Sequence, residues 1–164
     1  MTVADRMAVM ERGGIVQVGT PAAIYEQPSS RYVADFVGDV NLLEGRLVET
    51  GAAESLIAAK AGFAVRVGQP ADVAPGATVW VALRPEKVRI SPQAPAEAGE
   101  NAAAGIVLDI GYLGNLSIYK VRLDQGEVMK ASLTNQTRHS QSTLGWNDRV
   151  WLSWSADAAI VLTR

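Results

Sequence analysis

From Asn41 onward no stretch keeps a helical period beyond two turns; apolar residues alternate in short runs broken by Gly, Pro and Asn. A period of two over four to eight residues is what a half-buried strand imposes, so most of this chain is expected to form an antiparallel all-β barrel or sandwich. Expected strands are 43–49, 55–59, 64–67 and 78–83, the last with Val79, Val81 and Leu83 on one face and Trp80 and Arg84 on the other. Arg84-Pro85 leaves the ladder because proline has no amide to donate, and Val88 and Ile90 resume the alternation. Pro92–Asn101 has no period and reads as an exposed loop or a break between strand groups. The last third gives strands 105–110, 116–123 (apolar on both faces), 128–133, 150–154 and 159–162, with a glycine-bracketed corner over Gly111–Asn115. No internal repeat is convincing.

The first forty residues read differently. Met7–Met10 and Ile15–Val18 flank Gly13-Gly14, a hairpin whose glycines supply positive φ. Thr20-Pro21 is an N-cap followed by proline at the first helical position, giving a short helix over 22–27 that stops before Pro28. A second helix, capped by Ser29 or Ser30, places Tyr32, Val33, Phe36 and Val37 at helical spacing, with Gly38 expected to close it in a left-handed conformation.

Composition excludes several function classes. Lys+Arg 15 against Asp+Glu 17 leaves a net charge of −2 over 164 residues, so there is no basic excess to neutralise a phosphate backbone, and nucleic acid is not an expected partner. Cysteine is absent, which removes thiolate metal sites and thiol nucleophiles, and the one histidine, His139, sits in a polar stretch that reads as a solvated loop. No apolar run is long enough to span a bilayer, so direct membrane insertion is not expected. The sequence contains no G-x-x-x-x-G-K-[ST] phosphate loop, no G-x-G-x-x-G and no H-E-x-x-H. Glu97, Glu100 and Asp109 are spread too irregularly for a carboxylate pair. Gly114 and Asn115 read either as a barrel corner needing positive φ or as a ligand or partner contact. Trp80, Trp146, Trp151 and Trp154 serve core and barrel-end packing or an exposed stacking surface.

Read in order, the motifs resemble a known family. Ala4-Asp5-Arg6-Met7 with Gly13-Gly14-Ile15-Val16-Gln17-Val18-Gly19-Thr20-Pro21, then Ile24-Tyr25-Glu26-Gln27-Pro28 and Tyr32–Gly38, resembles the end of an ABC transporter ATP-binding domain. Asn41–Gly45 and Leu83-Arg84-Pro85-Glu86 resemble the transport-associated OB (TOBE) domain, and Tyr112–Tyr119, Trp151–Trp154 and 160–163 look most like the ATP-binding subunit of a putrescine or spermidine importer. The resemblance implies a division into 1–40, the tail of the nucleotide-binding domain, and 41–164, an OB-fold-like regulatory barrel. It implies a non-catalytic regulatory and dimerisation role in polyamine import, with a second copy and the transmembrane permease subunits as partners, at the cytoplasmic face of the inner membrane. The phosphate loop, signature motif, acidic motif and switch histidine of the ATPase are absent, so hydrolysis by this chain is not expected. ATP and Mg belong to the full subunit, and no catalytic, cofactor or metal residue is carried over. Arg84, Pro85 and Glu86, as the signature, are expected at an interface or a structural joint, or, for Arg84, in a local pair closing a strand end. The opening segment is expected to fold back on the barrel, swap into a second copy or fray, exposing Met7, Val9, Tyr32 and Phe36. The alternative function is binding of a small oxyanion or polyamine by an OB-type domain.

Overall fold

A computed structural model describes residues 4–96, 101–135 and 144–164. His139, Glu97 and Glu100 lie outside these described residues. The opening forms a hairpin, β1 (Met7–Glu11) and β2 (Gly14–Gly19), followed by two six-residue helices, α1 (Pro21–Glu26) and α2 (Arg31–Phe36). Thr20 Oγ1 accepts from Ala23 N and Ser30 Oγ from Val33 N, so both caps are side-chain hydroxyls at the positions their sequence marks. The hairpin turn differs from expectation: Arg12 shares the positive φ with Gly13, and Gly14 is already strand. Nor is Gly38 left-handed. It ends α2 as a close-approach position, where a Cβ would lie 3.2 Å from the Tyr25 ring.

Ten further strands make two five-stranded antiparallel sheets. One has the order β12 (Ala159–Leu162), β6 (Thr78–Leu83), β3 (Asn41–Thr50), β4 (Ser55–Ala59), β5 (Ala64–Val67). The other runs β10 (Val128–Thr134), β9 (Leu116–Leu123), β8 (Asn101–Tyr112), β11 (Arg149–Trp154), β7 (Arg89–Ser91). Their inner faces share one core, in which Leu47, Ile57, Val65, Val79 and Val81 of the first sheet meet Val107, Val121, Met129 and Leu152 of the second. The barrel-like all-β class is as the sequence indicates, but four details differ. β8 starts at Asn101, not Gly105, because Asn101 is buried and its side chain is used. β9 has one buried face (Ser117, Tyr119, Val121, Leu123), with Lys120 and Arg122 outside. Gly111 and Tyr112 continue β8, which leaves Leu113-Gly114-Asn115 as the turn, with Gly114 at φ +82°. Arg84 belongs to a 3-10 turn (Pro85–Lys87) that it precedes, not to the outer face of β6.

The larger correction is that the barrel is a duplication. Residues 41–91 and 101–162 trace one path twice: a long strand, its antiparallel neighbour, a third strand beyond that neighbour, a strand on the long strand's other side, a 3-10 turn, and a last strand that crosses to the other sheet. β7 thus pairs with β11 and β12 with β6. Equivalent details coincide. Asn41 clamps Lys130 of β10 through both backbone groups (Oδ1 from N at 2.7 Å, Nδ2 to O at 2.8 Å), and Asn101 clamps Arg66 of β5 in the same way at the same two distances. Each asparagine gives one sheet a bond to a strand of the other. The glycine four residues on meets the neighbouring strand's backbone in both halves, Gly45 against Ala58 O and Gly105 against Arg122 O, and both long strands bulge at the same step, at Val48 and Leu108.

A Cβ at Gly45 would sit 2.6 Å from a carbonyl oxygen and from Ile57 Cγ2, with no flexible atom to move. Gly45→Ala and Gly105→Ala are therefore expected to cost about 2–3 kcal/mol each, read as a fall in urea midpoint at unchanged slope. Gly51→Ala, in an exposed turn, is expected to stay within about 0.5 kcal/mol.

Candidate functional site: the Arg84 junction

The hairpin and helices carry a small core of their own, Val9, Ile24 and Val33 with Met7, Val16 and Val37 against them. Among the described residues, the buried apolar cluster that joins them to the barrel is Ala34 with Ala82 and Leu162, edged by Val40, Trp80 and Ile160. What joins the two parts is the 3-10 turn after β6. Helices of six residues leave most of their carbonyls without an intrahelical partner, and buried carbonyls need donors. Arg84 supplies them. Its side chain is 5% exposed, and Nη1 donates to Ala34 O (2.9 Å), Gly38 O (3.0 Å) and Asp39 O (3.0 Å), while Nη2 donates to Tyr25 O (3.2 Å). The guanidinium also lies 4.1 Å over the Tyr25 ring. A cation at the carbonyl ends of α1 and α2 is favoured by both helix dipoles.

The neighbours of Arg84 point the same way. Tyr25 Oη donates to Glu86 Oε1 at 2.6 Å, and Lys87 pairs with Glu26. Burial, then the bond to the Glu86 carboxylate and its charge, push the Tyr25 hydroxyl up to about 12. Asp39 pairs with Lys130 beside the Asn41 clamp, and Arg31 both stacks on Trp80, 3.8 Å from the ring centroid, and donates its backbone N–H to Arg164 O. A cleft of about 510 Å³ runs along the seam, with Tyr25, Glu26 and Pro28 on one wall and Gln69, Lys87 and Ile160 on the other. The Tyr25 hydroxyl is spent on Glu86, Glu26 on Lys87, and the Arg84 guanidinium on backbone carbonyls, so these polar groups hold the two parts in register. No group of His, Asp or Glu with metal-ligand geometry occurs among the described residues.

Arg84, Pro85 and Glu86 thus come together at the seam, Pro85 buried beneath the turn. Among the described residues the Arg84 side chain makes no local strand-end pair; its hydrogen bonds reach Tyr25, Ala34, Gly38 and Asp39. Gly114 and Asn115 are elsewhere, in the β8–β9 turn, where Asn135 braces both carbonyls (Nδ2 to Gly114 O, N to Asn115 O). Sequence reasoning missed Tyr25 and the carbonyls of Ala34, Gly38 and Asp39. The carbonyls have no residue-type signature, whereas Tyr25 lies inside the Ile24-Tyr25-Glu26-Gln27-Pro28 motif. Of the tryptophans, Trp154 is buried edge-on to Phe63, Trp80 lies under Arg31, and Trp146 is 68% exposed.

The profile of the TOBE domain matches residues 81–162, from the middle of β6 to the end of β12. The chain belongs to the TOBE-domain family. Over 99% of its length it is 44% identical to the putrescine transport ATP-binding protein PotG of Escherichia coli (strain K12), of which it covers 43%. It is 33% identical, again over 99% of its length, to the spermidine/putrescine import ATP-binding protein PotA of Thermotoga maritima, of which it covers 45%. The chain therefore spans less than half the length of these curated relatives. In fold it is similar to the cytoplasmic molybdate-binding protein ModG with molybdate bound (TM-score 0.67, 15% identity, covering 84% of this chain and 99% of that one). The matched family is the TOBE domain, and this chain carries no ATPase catalytic domain.

Arg84→Gln removes the donors of four carbonyls and is expected to cost about 2–4 kcal/mol, with amide exchange rising first over 21–37. Tyr25 gives a pH test with a defined sign. Its folded-state pKa lies above the unfolded value of 10.0, so the folded chain holds the proton longer, and stability is expected to fall as pH rises from 10 towards 12. Tyr25→Phe is expected to lose that portion of the pH dependence in chemical denaturation.

Proposed function

We propose that this chain is the regulatory TOBE part of the ATP-binding subunit of an ABC importer for putrescine or spermidine. Supporting this most directly is its alignment, end to end, with one part of proteins named as polyamine-transport ATP-binding proteins. In this reading residues 1–40 are the tail of the nucleotide-binding domain and 41–164 the regulatory barrel, with ATP and Mg bound by the catalytic domain of the whole subunit. Work is done at the cytoplasmic face of the membrane, with permease subunits as partners; among the described residues no helix is long and apolar enough to cross a bilayer.

The hairpin supports such an attachment. Val9 and Met7 pack inward, contrary to the expectation that they would be exposed, while the other face presents Met10 (54%), Ile15 (63%) and Val18 (49%), with Met10 paired to Ile15 across the strands. Phe36, stacked on Tyr32, is 62% exposed as expected. Apolar side chains clustered on one face of a two-stranded sheet fit a surface that packs on more protein. A second copy of the subunit is the remaining proposed partner.

Disrupting the gene that encodes this chain is expected to abolish ATP-dependent uptake of labelled putrescine or spermidine and to leave other solutes unaffected; unchanged polyamine uptake overturns the reading. Light scattering of the purified subunit tests the pairing: a mass of two copies is expected, and a mass of one copy across the concentration range overturns it.

A further inference from the structure

The two halves of the barrel build the same turn between their second and third strands. In the β4–β5 turn Ala59 N donates to Phe63 O and Gly62 N to Ala59 O; in the β9–β10 turn Leu123 N donates to Glu127 O and Gly126 N to Leu123 O, and both glycines have positive φ. Glu127 is therefore the counterpart of Phe63. Phe63 packs on the main core, its ring edge-on to Trp154 at 6.4 Å, so the first half fills this position with an apolar group. The second half puts a carboxylate there. Glu127 Oε2 is closed off from solvent and has no hydrogen-bond partner among the described residues, which is costly for an ionised oxygen. Burial pushes the carboxyl above its ordinary 4.5; the positive charge of Lys60 opposes this and the negative charge of Glu44 adds to it.

The charged groups around Glu127 come from three other elements. It shares a cleft with Glu44 of β3, Lys60 of the β4–β5 turn and Arg31 of α2. Arg31 is engaged by the Trp80 ring, and on the same turn as Glu127 the Asp124 carboxylate is held by Arg149. Lys60 is the mobile charge: it lies 3.9 Å from Glu44, a loose pair with both side chains largely in water. The two turns also approach each other, since a Cβ on Gly62 would sit 3.7 Å from Gln125 Cγ.

We propose that Glu127 is a protonation-dependent brace between the two halves of the barrel. Ionised, it competes with Glu44 for Lys60 and holds the β9–β10 turn loosely; with a proton taken from solvent it releases Lys60 to Glu44, and the turn settles against the β4–β5 turn as its apolar counterpart does. The sign is fixed by where the proton binds better. Because the folded chain holds the Glu127 proton more tightly than the unfolded chain, this contribution to stability is fully present below the unfolded midpoint and is lost as pH rises through the folded one. The brace rests on the geometry of the turns and not on the polyamine-import reading.

The test follows the Glu127 carboxyl carbon by NMR across about pH 4 to 8, in the folded chain and in urea. Its midpoint is expected to be higher folded than unfolded, to rise further in Lys60→Met and to fall in Glu44→Gln. Glu127→Gln, held in the neutral form, is expected to have a higher urea midpoint than the parent at pH 7, with the difference shrinking as the pH falls, and slower amide exchange at 60–62 and 124–127. A folded midpoint at or below the unfolded one overturns the proposal, as does a Glu127 midpoint that neither charge variant moves. Exchange at 60–62 that is the same in parent and Glu127→Gln at pH 7 overturns the coupling of the two turns. Should Glu127→Gln not fold, the neutral form does not support the barrel and the proposal also fails.

Discussion

The arrangement of the whole chain depends on one buried guanidinium. α1 and α2 are too short to satisfy their own carbonyls, and the small core they make with the hairpin contributes little adhesion to the barrel. Arg84 resolves both deficits together, because its fork of donors reaches the carbonyls of α1, α2 and the 38–39 linker from a single point on the barrel. Lysine has one nitrogen and no planar fork, so it cannot reproduce this set. Pro85 fixes the turn that aims Arg84, and Glu86 and Lys87 add Tyr25 and Glu26 to the same seam. The Arg-Pro-Glu signature is then one mechanical unit: a side chain that joins, a ring that sets the backbone, and an acid that holds the aromatic plate under the guanidinium.

The barrel itself rests on a second economy of means, exchange of the last strand between two copies of one unit. The four strands that each half contributes to its own sheet leave an edge at β6 or β11, and the other half covers it by donating β12 or β7 as the fifth strand. The asparagine clamps do the same work at the opposite end, where Asn41 and Asn101 replace a missing strand neighbour with a side-chain amide that matches a peptide in both donor and acceptor. Placing Gly45 and Gly105 four residues further along, two repeats of the pleat, lets each long strand lie close on its neighbour there.

This division explains what was legible in the sequence. The strands with a strict period of two, such as Val79-Val81-Leu83 and Val150-Leu152-Trp154, were readable because one face is buried along their whole length. Both helix caps were readable because hydroxyl and proline chemistry is local. β8 begins earlier than its composition indicates: Asn101, Ala102 and Ala103 look like loop residues, and it is pairing with β11 and the Arg66 peptide across the barrel that hold Asn101 in the strand. The duplication escaped notice because hydrophobic identity is interchangeable in a core. The signal that could have revealed it is sparse: Asn-x-x-x-Gly at 41–45 and 101–105, and Val-Trp at 79–80 and 150–151, at positions fixed by backbone contact rather than by bulk. For the junction, the sequence marked Arg84, Pro85 and Glu86 but not their partners, since backbone carbonyls are present at every residue and only the tertiary fold selects four of them.

A duplicated scaffold also separates structural from functional residues without further information, because whatever the barrel needs must be present twice. The clamps, the glycines and the bulges pass that test. Arg84 does not: its counterpart is Ser155, ahead of the matching 3-10 turn (Ala156–Ala158). The outer faces differ in the same sense. Where the first half carries Ala82, paired to Ile160, under α2, the second carries Ser153, paired to Arg89. Arg84 and the apolar seat for Ala34, present in the first half without a counterpart in the second, make the first half of the duplication the side that holds the hairpin and helices.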